Sequence, residues 1–517
     1  MKELTYHRFL LPTVDRLPDK VAVLDGEFSA TFAQHLERVL KLGDALRRAG
    51  VGRGDRFAVM ALNGHQFLEL YHASLLTGAV INPLNLRLAP KELEFILRDS
   101  GSRICFADGF FGAAIDKVRD DAGLEQLILV GPGDVPHDAT YEDMLSSGEA
   151  VMPEEPDEDA ATVLMYTGGT TGTPKGVVID QRALMLDLYK VATRWVMDEN
   201  YVYLHQTPMF HAASLGGIIA VPAVGGVSTS VPLFSPEAVL DAIERYKVTM
   251  TVMVPTMIAM MLDHPGFDAD RLRSLNILTY GASPMPTALL ERLLRALPGI
   301  DVYQGYGMTE NCGLLTCLGP EEHRRGGELL RSAGRPLAGS MVSIQDEDGN
   351  ILGPGKTGEV CARAGNYMRG YWNRPQETEA AFRGGWYHTG DAGYIDAEGY
   401  VYLVDRVKDM IVTGGENVYS AEVENAISGH PGVAQVAVIG VPSEQWGEEV
   451  LAIVVPKPEA AITAEEIKGW ARERIAGYKV PKSVELRTDP LPLSGAMKIL
   501  KRELRAPYWE GKDRSVQ

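Results

Sequence analysis

The segment Tyr166–Val178, YTGGTTGTPKGVV, holds the residues best suited to chemistry in this chain. Its glycines leave backbone N–H groups unhindered, its threonines add hydroxyl donors, and Lys175 adds a positive charge. A polyphosphate needs this combination of groups. A Walker P-loop requires Gly-Lys-Ser/Thr entering a helix, whereas here Pro174 precedes the lysine and Gly176 follows it. The segment therefore predicts a phosphate site of another kind. The competing interpretation is an ordinary Gly/Thr-rich surface turn.

Further motifs follow this loop in a fixed order. They are PMFH at 208–211, YGASP at 280–284, YQGYGMTE at 303–310, HTGD at 388–391, GYVYLVDRVKDMIVTGGENVYSAEVE at 399–424 and LPLSGAMKILKREL at 491–504. With the loop, they resemble the motifs of the adenylate-forming superfamily, and the resemblance covers about residues 160 to 505. It implies that a carboxylate attacks the α-phosphorus of ATP to give an acyl-adenylate and pyrophosphate. A thiol then displaces AMP.

The resemblance implies a role for each matched residue. The β- and γ-phosphates would be held by Thr167, Gly168, Gly169, Thr170, Thr171, Gly172, Thr173 and Lys175. The adenine would be framed by Gly281, Ala282, Ser283, Gly305, Tyr306 and Gly307. Four catalytic roles are implied: Thr309 at the α-phosphate, Glu310 on Mg²⁺, Lys498 between the substrate carboxylate and the α-phosphate, and His211 beside the acyl group. The ribose would be bound by Asp391 and Arg406, and the domain hinge would be Lys408. The CoA side would be lined by Gly414, Gly415 and Trp446.

Each of these residues also has a simpler interpretation when taken alone. Asp391 after a glycine is commonly a turn residue. Glu310 could be solvated, and Arg406 with Lys408 could form a surface pair of little energetic value. Lys498 lies in a tail rich in lysines. The ordered set favours the family interpretation, because the motifs occur together and in sequence.

His211 bears on the branch of the family. Amino-acid-activating members usually place an aspartate there, to pair with the substrate amine. A histidine does not reliably fill that role near neutral pH. We therefore expect a carboxylic acid without an α-amino group, in a pocket that includes a set of mostly small residues: Ala212, Ala213, Ser214, Gly216, Val254, Pro255 and Asn311. The expected enzyme is an AMP-forming acyl-CoA synthetase that uses ATP, CoA and Mg²⁺.

Several alternatives remain open. The acyl acceptor could be a separate carrier protein instead of CoA, because no carrier domain follows. Met497 stands where the family usually has glycine, and this favours a second alternative. In that case adenylation is slow, and the protein works mainly on a supplied acyl-adenylate. A luciferase-like oxygenase, a P-loop kinase or ATPase, and a non-catalytic nucleotide-binding protein fit the motifs less well.

The elements that must position these residues alternate between helix and strand. Ser235 is a helix N-cap before Pro236, and the following apolar positions fall on one face. The run VTMTVMV that follows predicts a buried strand. Such repetition predicts an α/β protein with largely parallel sheets. With the resemblance, it gives a large N-terminal AMP- and acyl-binding domain at 1–407. A small mobile α+β domain at 408–517 would carry the catalytic lysine, with a helix at Ser420–Ile427, strands at Ala434–Val441 and Glu449–Val455, and a helix at Ala464–Ile475.

The charge excludes some partners. Fifty Lys and Arg against 69 Asp and Glu give a net charge of −19, which disfavours nucleic acids and anionic membranes as partners. From Lys479 to Gln517, however, there are nine basic and five acidic residues, so the region around Lys498 is basic. The four cysteines are too scattered for a disulfide framework, and we expect reduced, mostly buried thiols. No membrane span or signal peptide is expected, so the predicted location is cytoplasmic. A homodimer is left open.

Overall fold

Two large sheets and their helices make up most of the molecule. The computed structural model describes residues 3–167, 174–406, 409–413 and 416–510. The helices are α1 Tyr6–Arg16, α2 Phe32–Arg48, α3 His65–Thr77, α4 Pro90–Ser100, α5 Gly109–Asp116, α6 Arg119–Ala122, α7 Tyr141–Ser147, α8 Gln181–Arg194, α9 Leu215–Val224, α10 Pro236–Tyr246, α11 Pro255–Asp263, α12 Thr287–Ala296, α13 Pro320–Arg325, α14 Pro375–Ala381, α15 Ser420–Ser428, α16 Ala464–Arg472 and α17 Lys501–Trp509.

The strands are β1 Val21–Asp25, β2 Phe28–Thr31, β3 Arg56–Met60, β4 Val80–Pro83, β5 Ile104–Asp108, β6 Gln126–Val130, β7 Ala139–Thr140, β8 Ala161–Thr167, β9 Lys175–Asp180, β10 Val202–His205, β11 Val227–Ser230, β12 Met250–Met253, β13 Ile277–Gly281, β14 Asp301–Tyr306, β15 Thr316–Leu318, β16 Arg335–Pro336, β17 Ser340–Gln345, β18 Gly358–Ala364, β19 Gly370–Tyr371, β20 Tyr387–Ile395, β21 Val401–Arg406, β22 Ile411–Thr413, β23 Glu416–Val418, β24 Val433–Ser443, β25 Gly447–Pro456 and β26 Ser483–Leu486.

The two large sheets are mainly parallel, which confirms the predicted fold class. One sheet has the order β16-β15-β14-β13-β12-β10-β11-β1-β2 and is parallel from β14 to β1. The other has the order β19-β9-β8-β4-β3-β5-β6-β7 and is parallel from β8 to β7. A single apolar core takes residues from both sheets and from α2, α3, α8 and α9. The sheets therefore hold their strand ends in fixed relation to one another.

Helix α10 shows how local signals build these units. The Ser235 side chain accepts a hydrogen bond from the Ala238 N–H, and proline occupies the first helical position. Val239, Leu240 and Ile243 are fully buried on one face. The cap and the apolar stripe both act within a few residues, so the sequence predicts this helix correctly.

Two smaller sheets complete the fold. The segment 384–406, which is rich in glycine and aromatic residues, contributes β20 and β21 to an antiparallel sheet with the order β17-β18-β20-β21. Strands β22 to β26 form a separate sheet, with two apolar clusters built only from residues after position 410. Helix α16 ends at Arg472, earlier than the sequence suggests, although the Ile475 N–H still bonds the Ala471 carbonyl. The division at 407/408 stays a prediction.

The four cysteines are free and buried, as expected. Burial raises the pKa of the Cys361 thiol to about 12, so this thiol stays protonated at neutral pH. In the described part of the chain, every helix is too short or too polar to cross a bilayer.

Candidate active site

A cleft of about 2700 Å³ is lined both by residues before position 406 and by residues after it. Its lining includes thirteen predicted site residues: Thr167, Lys175, His211, Gly281, Ala282, Ser283, Gly305, Tyr306, Gly307, Thr309, Glu310, Asp391 and Lys498. Other predicted positions lie outside the described residues, namely Gly168 to Thr173, Lys408, Gly414 and Gly415. Arg406 is described only as backbone in β21. Trp446 is not on the lining and lies 42% exposed between β24 and β25.

The part of the cleft where the sequence predicts the phosphates starts where β8 ends and β9 begins. Thr167 and Lys175 are direct partners in that antiparallel pair. The Lys175 ammonium lies 5.2 Å from the centre of the Tyr371 ring. The Tyr371 hydroxyl donates a hydrogen bond to Glu310 Oε1 at 3.0 Å. One tyrosine thus fixes both a cation and a carboxylate, the two groups that a metal-bound polyphosphate requires.

Two close backbone approaches shape the part of the cleft where the sequence predicts the adenine. Gly281 on β13 pairs with Gly305 on β14, and a Cβ on Gly281 would lie 2.2 Å from the Gly305 carbonyl oxygen. A Cβ on Gly307 would lie 2.1 Å from the carbonyl oxygen of Gly313. Ala282, the residue after Gly281, has φ = +65°. Only glycine fits the two close approaches, and they leave a surface without side chains that suits a planar ring.

Asp391, which the sequence predicts to bind the ribose, is held in place by residues of neighbouring strands. The buried Tyr306 hydroxyl donates to Asp391 Oδ2 at 2.7 Å. Burial, with the neighbouring carboxylate, holds the Tyr306 pKa well above its ordinary value, so the phenol remains a donor. Glu359 accepts hydrogen bonds from the Gly390 N–H at 3.1 Å and pairs with His388 at 2.8 Å. Sequence reasoning missed Glu359, which fixes the turn that presents Asp391.

His211 lies on the cleft lining as a neutral imidazole. Its Nδ1 accepts a hydrogen bond from the Ala213 N–H at 3.2 Å, which assigns the ring proton to Nε2. Burial, and secondarily the charge of Lys498, lower its pKa to about 3. The His211 ring is therefore uncharged at neutral pH, and the positive charge near it belongs to Lys498.

The loop that carries Lys498 is docked against the large sheets. It is closed by a bridge between Leu493 and Ile499 and by a hydrogen bond from the Lys498 N–H to Ser494 Oγ at 3.1 Å. Thr256 donates to the Met497 carbonyl at 2.8 Å, and Arg87 donates to the Leu493 carbonyl. Further contacts come from Gly495, where a Cβ would lie 2.2 Å from Asn85 Oδ1. These contacts hold the lysine inside the cleft.

A mostly apolar part of the cleft lining comes from α8, α9, β10, β12 and Trp195. This part, called the acyl wall below for the role proposed for it in the next section, consists of Asp187, Val191, Trp195, Tyr203, Gly216, Gly217, Met250 and Val252. The expected pocket residues Ala212, Ala213, Gly216, Val254 and Pro255 do line the cleft.

Two expected pocket residues are not on the lining. Ser214 is buried and donates to the Pro208 carbonyl at 3.0 Å. The buried Asn311 uses its Oδ1 to accept the Met308 N–H at 2.9 Å. Both are therefore structural residues. Sequence reasoning missed Asp187, Trp195 and Tyr203, although positions 187, 191 and 195 form an i, i+4, i+8 stripe that signals one helix face.

Two family models together match most of the chain. A model of the AMP-binding enzyme family matches residues 12–372, and one of the AMP-binding enzyme C-terminal domain matches residues 422–498. The chain belongs to the AMP-binding enzyme family. Within this AMP-binding enzyme, the two matched segments contain all the described catalytic candidates: His211, Thr309 and Glu310 in the first, and Lys498 in the second.

Its relatives are acyl-activating enzymes. A feruloyl-CoA synthase from Amycolatopsis sp is 39% identical over 95% of this chain and 96% of its own. A fatty acid–[acyl-carrier-protein] ligase from Streptomyces coeruleorubidus is 35% identical over 96% and 95%. The solved o-succinylbenzoate CoA synthetase from Bacillus subtilis with its acyl-adenylate has a TM-score of 0.83 at 31% identity, covering 96% and 97%. This AMP-binding enzyme is an AMP-forming acid–thiol ligase of the acyl-CoA synthetase type, and ATP and AMP are its nucleotide ligands.

Proposed function

We propose that this enzyme activates a carboxylic acid without an α-amino group and transfers the acyl group to CoA. The observation that carries the proposal is the neutral His211, which lies near Lys498 on the cleft lining and five residues before Gly216 of the acyl wall. An α-ammonium group would need an anionic partner at this point. It would instead meet an uncharged imidazole and a lysine of the same sign.

The proposed chemistry has two balanced steps. In the first, a substrate carboxylate oxygen bonds to the α-phosphorus of ATP and the bond to pyrophosphate breaks. Lys498 would bind the carboxylate and the α-phosphate, and Thr309 would contact the same phosphate. In the second, the sulfur of CoA attacks the acyl carbonyl carbon and AMP leaves with the bonding electrons. Both steps concentrate negative charge, so oriented cations and donors supply the catalysis.

Magnesium is part of the proposal. Glu310 offers a hard carboxylate oxygen beside the phosphate side of the cleft, and such oxygens suit Mg²⁺. The B. subtilis synthetase has also been solved with ATP and a magnesium ion, at 31% identity and a TM-score of 0.84, covering 96% of this chain and 98% of its own. Glu310 would hold the ion, which would neutralise phosphate charge.

CoA is the proposed acceptor. The basic region after Lys479 suits its phosphates. The S. coeruleorubidus relative is named for a carrier-protein acceptor, so a carrier protein remains the second candidate. A cytoplasmic location, where ATP and CoA are both present, belongs to this proposal. The rate of thioester formation, measured with CoA and with a pantetheine-loaded carrier protein at equal thiol concentration, shows which acceptor the enzyme uses.

A matched pair of acids tests the proposed substrate class. We expect 3-phenylpropanoate to support acid-dependent pyrophosphate release with a kcat/KM at least about 100-fold above that of phenylalanine. The two acids differ only by the amino group, so the ratio isolates the missing counter-charge at His211. In the His211→Asp variant, we expect the kcat/KM values for the two acids to lie closer together. Similar rates with both acids in the unmodified enzyme would contradict the proposal.

A second candidate function, thioester formation on a supplied acyl-adenylate, is favoured by one feature. Met497 has φ = +60°, a left-handed conformation that costs a non-glycine residue about 1–2 kcal/mol. The same side chain packs against an apolar cluster of the large sheets, and its carbonyl accepts the Thr256 hydrogen bond. The packing and the hydrogen bond stabilise the docked loop and offset the strain, so we expect efficient adenylation.

Substitutions of Met497 separate these candidates. Met497→Ala keeps the strained backbone but loses the packing, so we expect pyrophosphate release to fall about fivefold, which corresponds to roughly 1 kcal/mol. Thioester formation from supplied acyl-AMP should stay unchanged, and Met497→Leu should behave like the unmodified enzyme. The control is Met341→Ala, at a methionine that is 60% exposed on β17. If Met497→Gly accelerates pyrophosphate release several-fold, strain limits adenylation and the second candidate is correct.

A further inference from the structure

Asp187 is the one carboxylate of the acyl wall. It lies on α8 at one-helical-turn spacing before Val191 and Trp195, and it is only 1% exposed. The rest of the wall is aromatic, aliphatic or glycine. A buried carboxyl group next to such a surface is costly unless its oxygens have hydrogen-bond partners. Its presence at the wall of a ligand cavity therefore needs an explanation.

The hydrogen bonds of this group are incomplete. Asp187 Oδ1 accepts from Asn366 Nδ2 at 3.1 Å. The neighbouring Lys190 ammonium donates instead to Ser340 Oγ at 2.7 Å and to Asn366 Oδ1 at 2.6 Å. Asp187 Oδ2 therefore has no hydrogen-bond partner among the residues that the structure describes. Burial raises the Asp187 pKa to about 7, and the Lys190 charge opposes this rise. In either protonation state Oδ2 can accept a hydrogen bond.

The open oxygen faces a gap left by a glycine. A Cβ on Gly216 would lie 4.0 Å from Asp187 Oδ2 and 3.1 Å from Val191 Cγ2. A larger residue at Gly216 would therefore fill the space in front of the carboxyl group. Gly216 is five residues beyond His211 along a continuous helical segment, which is a distance of about 8 Å at helical rises of 1.5–2 Å per residue. The carboxyl group thus lies well beyond the reacting carboxylate.

We propose that Asp187 Oδ2 accepts a hydrogen bond from a hydroxyl group at the far end of the acyl substrate. The preferred substrate class is then a hydroxylated aryl acid, with a ring and a short carbon chain between the hydroxyl and the carboxylate. A neutral donor fits better than an ammonium group, because the nearby Lys190 already balances the carboxylate charge. Trp195 and Tyr203 supply aromatic surface for the ring. This inference rests on the proposed function.

The test compares 4-hydroxycinnamate with cinnamate in pyrophosphate release. We expect the unmodified enzyme to prefer the hydroxylated acid at least about 10-fold in kcat/KM, because an unfilled polar site rejects the analogue without the hydroxyl. Asp187→Leu combined with Lys190→Met should bring the ratio close to one, because the hydroxylated acid loses its hydrogen-bond acceptor and cinnamate does not. Lys190→Met by itself keeps the carboxyl group and should keep the preference. The melting temperature of each variant checks that it folds.

Several results would overturn the inference. One is equal kcat/KM values for 4-hydroxycinnamate and cinnamate in the unmodified enzyme. Another is a preference for 4-hydroxycinnamate that persists in the Asp187→Leu, Lys190→Met double variant. If octanoate is activated but neither aryl acid is, the inference fails while the proposed function stands. If no acid among these three and 3-phenylpropanoate releases pyrophosphate, the proposed function fails as well.

Discussion

Lys498→Ala is expected to slow acid-dependent pyrophosphate release about 1000-fold. Thioester formation from supplied acyl-AMP and CoA should change less than about threefold. The ammonium group would neutralise charge that develops on the carboxylate and the α-phosphate, and the loss of one such group typically costs a factor of about 10²–10³. The docked loop places Lys498 near His211, and we assign this arrangement to the first step. Pyrophosphate release and AMP release, measured separately, report the two steps.

The control for this difference between the two half-reactions is another lysine in the same part of the chain. Lys482 is exposed and is not on the cleft lining. Lys482→Ala removes the same charge from the basic region, so it should leave both half-reactions unchanged. An equal loss of both steps in Lys498→Ala would assign that lysine a structural role. A large effect of Lys482→Ala would mean that general charge, and not position, controls the rate.

The parts of the fold with local causes were predictable from the sequence. Helix α10 has its cap, its proline and its apolar stripe within twelve residues, and strand β12 follows as an apolar run. The ordered motifs likewise identified residues that meet in one cleft although they are separated by up to 331 positions, from Thr167 to Lys498. Such motifs carry three-dimensional information because the same fold positions them in each member of the family.

The remaining features depend on contacts between distant segments. The motif YGASP marks Gly281, but the reason for the glycine is the register of β13 against β14. Glu359 supports the turn before Asp391 from another strand. Asp187 faces Gly216 because α8 packs on α9. Overall composition is similarly uninformative about local charge. The net charge of −19 is a sum over the whole chain and gives no sign of the basic region around Lys498.

Gly281→Ala is expected to raise the KM for ATP at least about 10-fold and to lower the free energy of unfolding by about 1–3 kcal/mol, a typical cost of overpacking. The added methyl carbon would lie 2.2 Å from the Gly305 carbonyl oxygen, so two paired strands must separate at the adenine side. Gly305→Ala should be milder, because its methyl meets only the flexible end of Leu314 at 2.7 Å.

The matched control is Gly299→Ala, because a methyl there would meet no atom within 4 Å. It should change neither the KM for ATP nor the melting temperature. Pyrophosphate release at varied ATP concentration and thermal unfolding measure the two effects. If the Gly281→Ala variant is destabilised but keeps its KM for ATP, the close approach of Gly281 to Gly305 stabilises the sheet and has no role in binding ATP. An unchanged KM and stability would contradict the register that brings Gly281 against Gly305, and with it the glycine-lined surface to which the adenine is assigned.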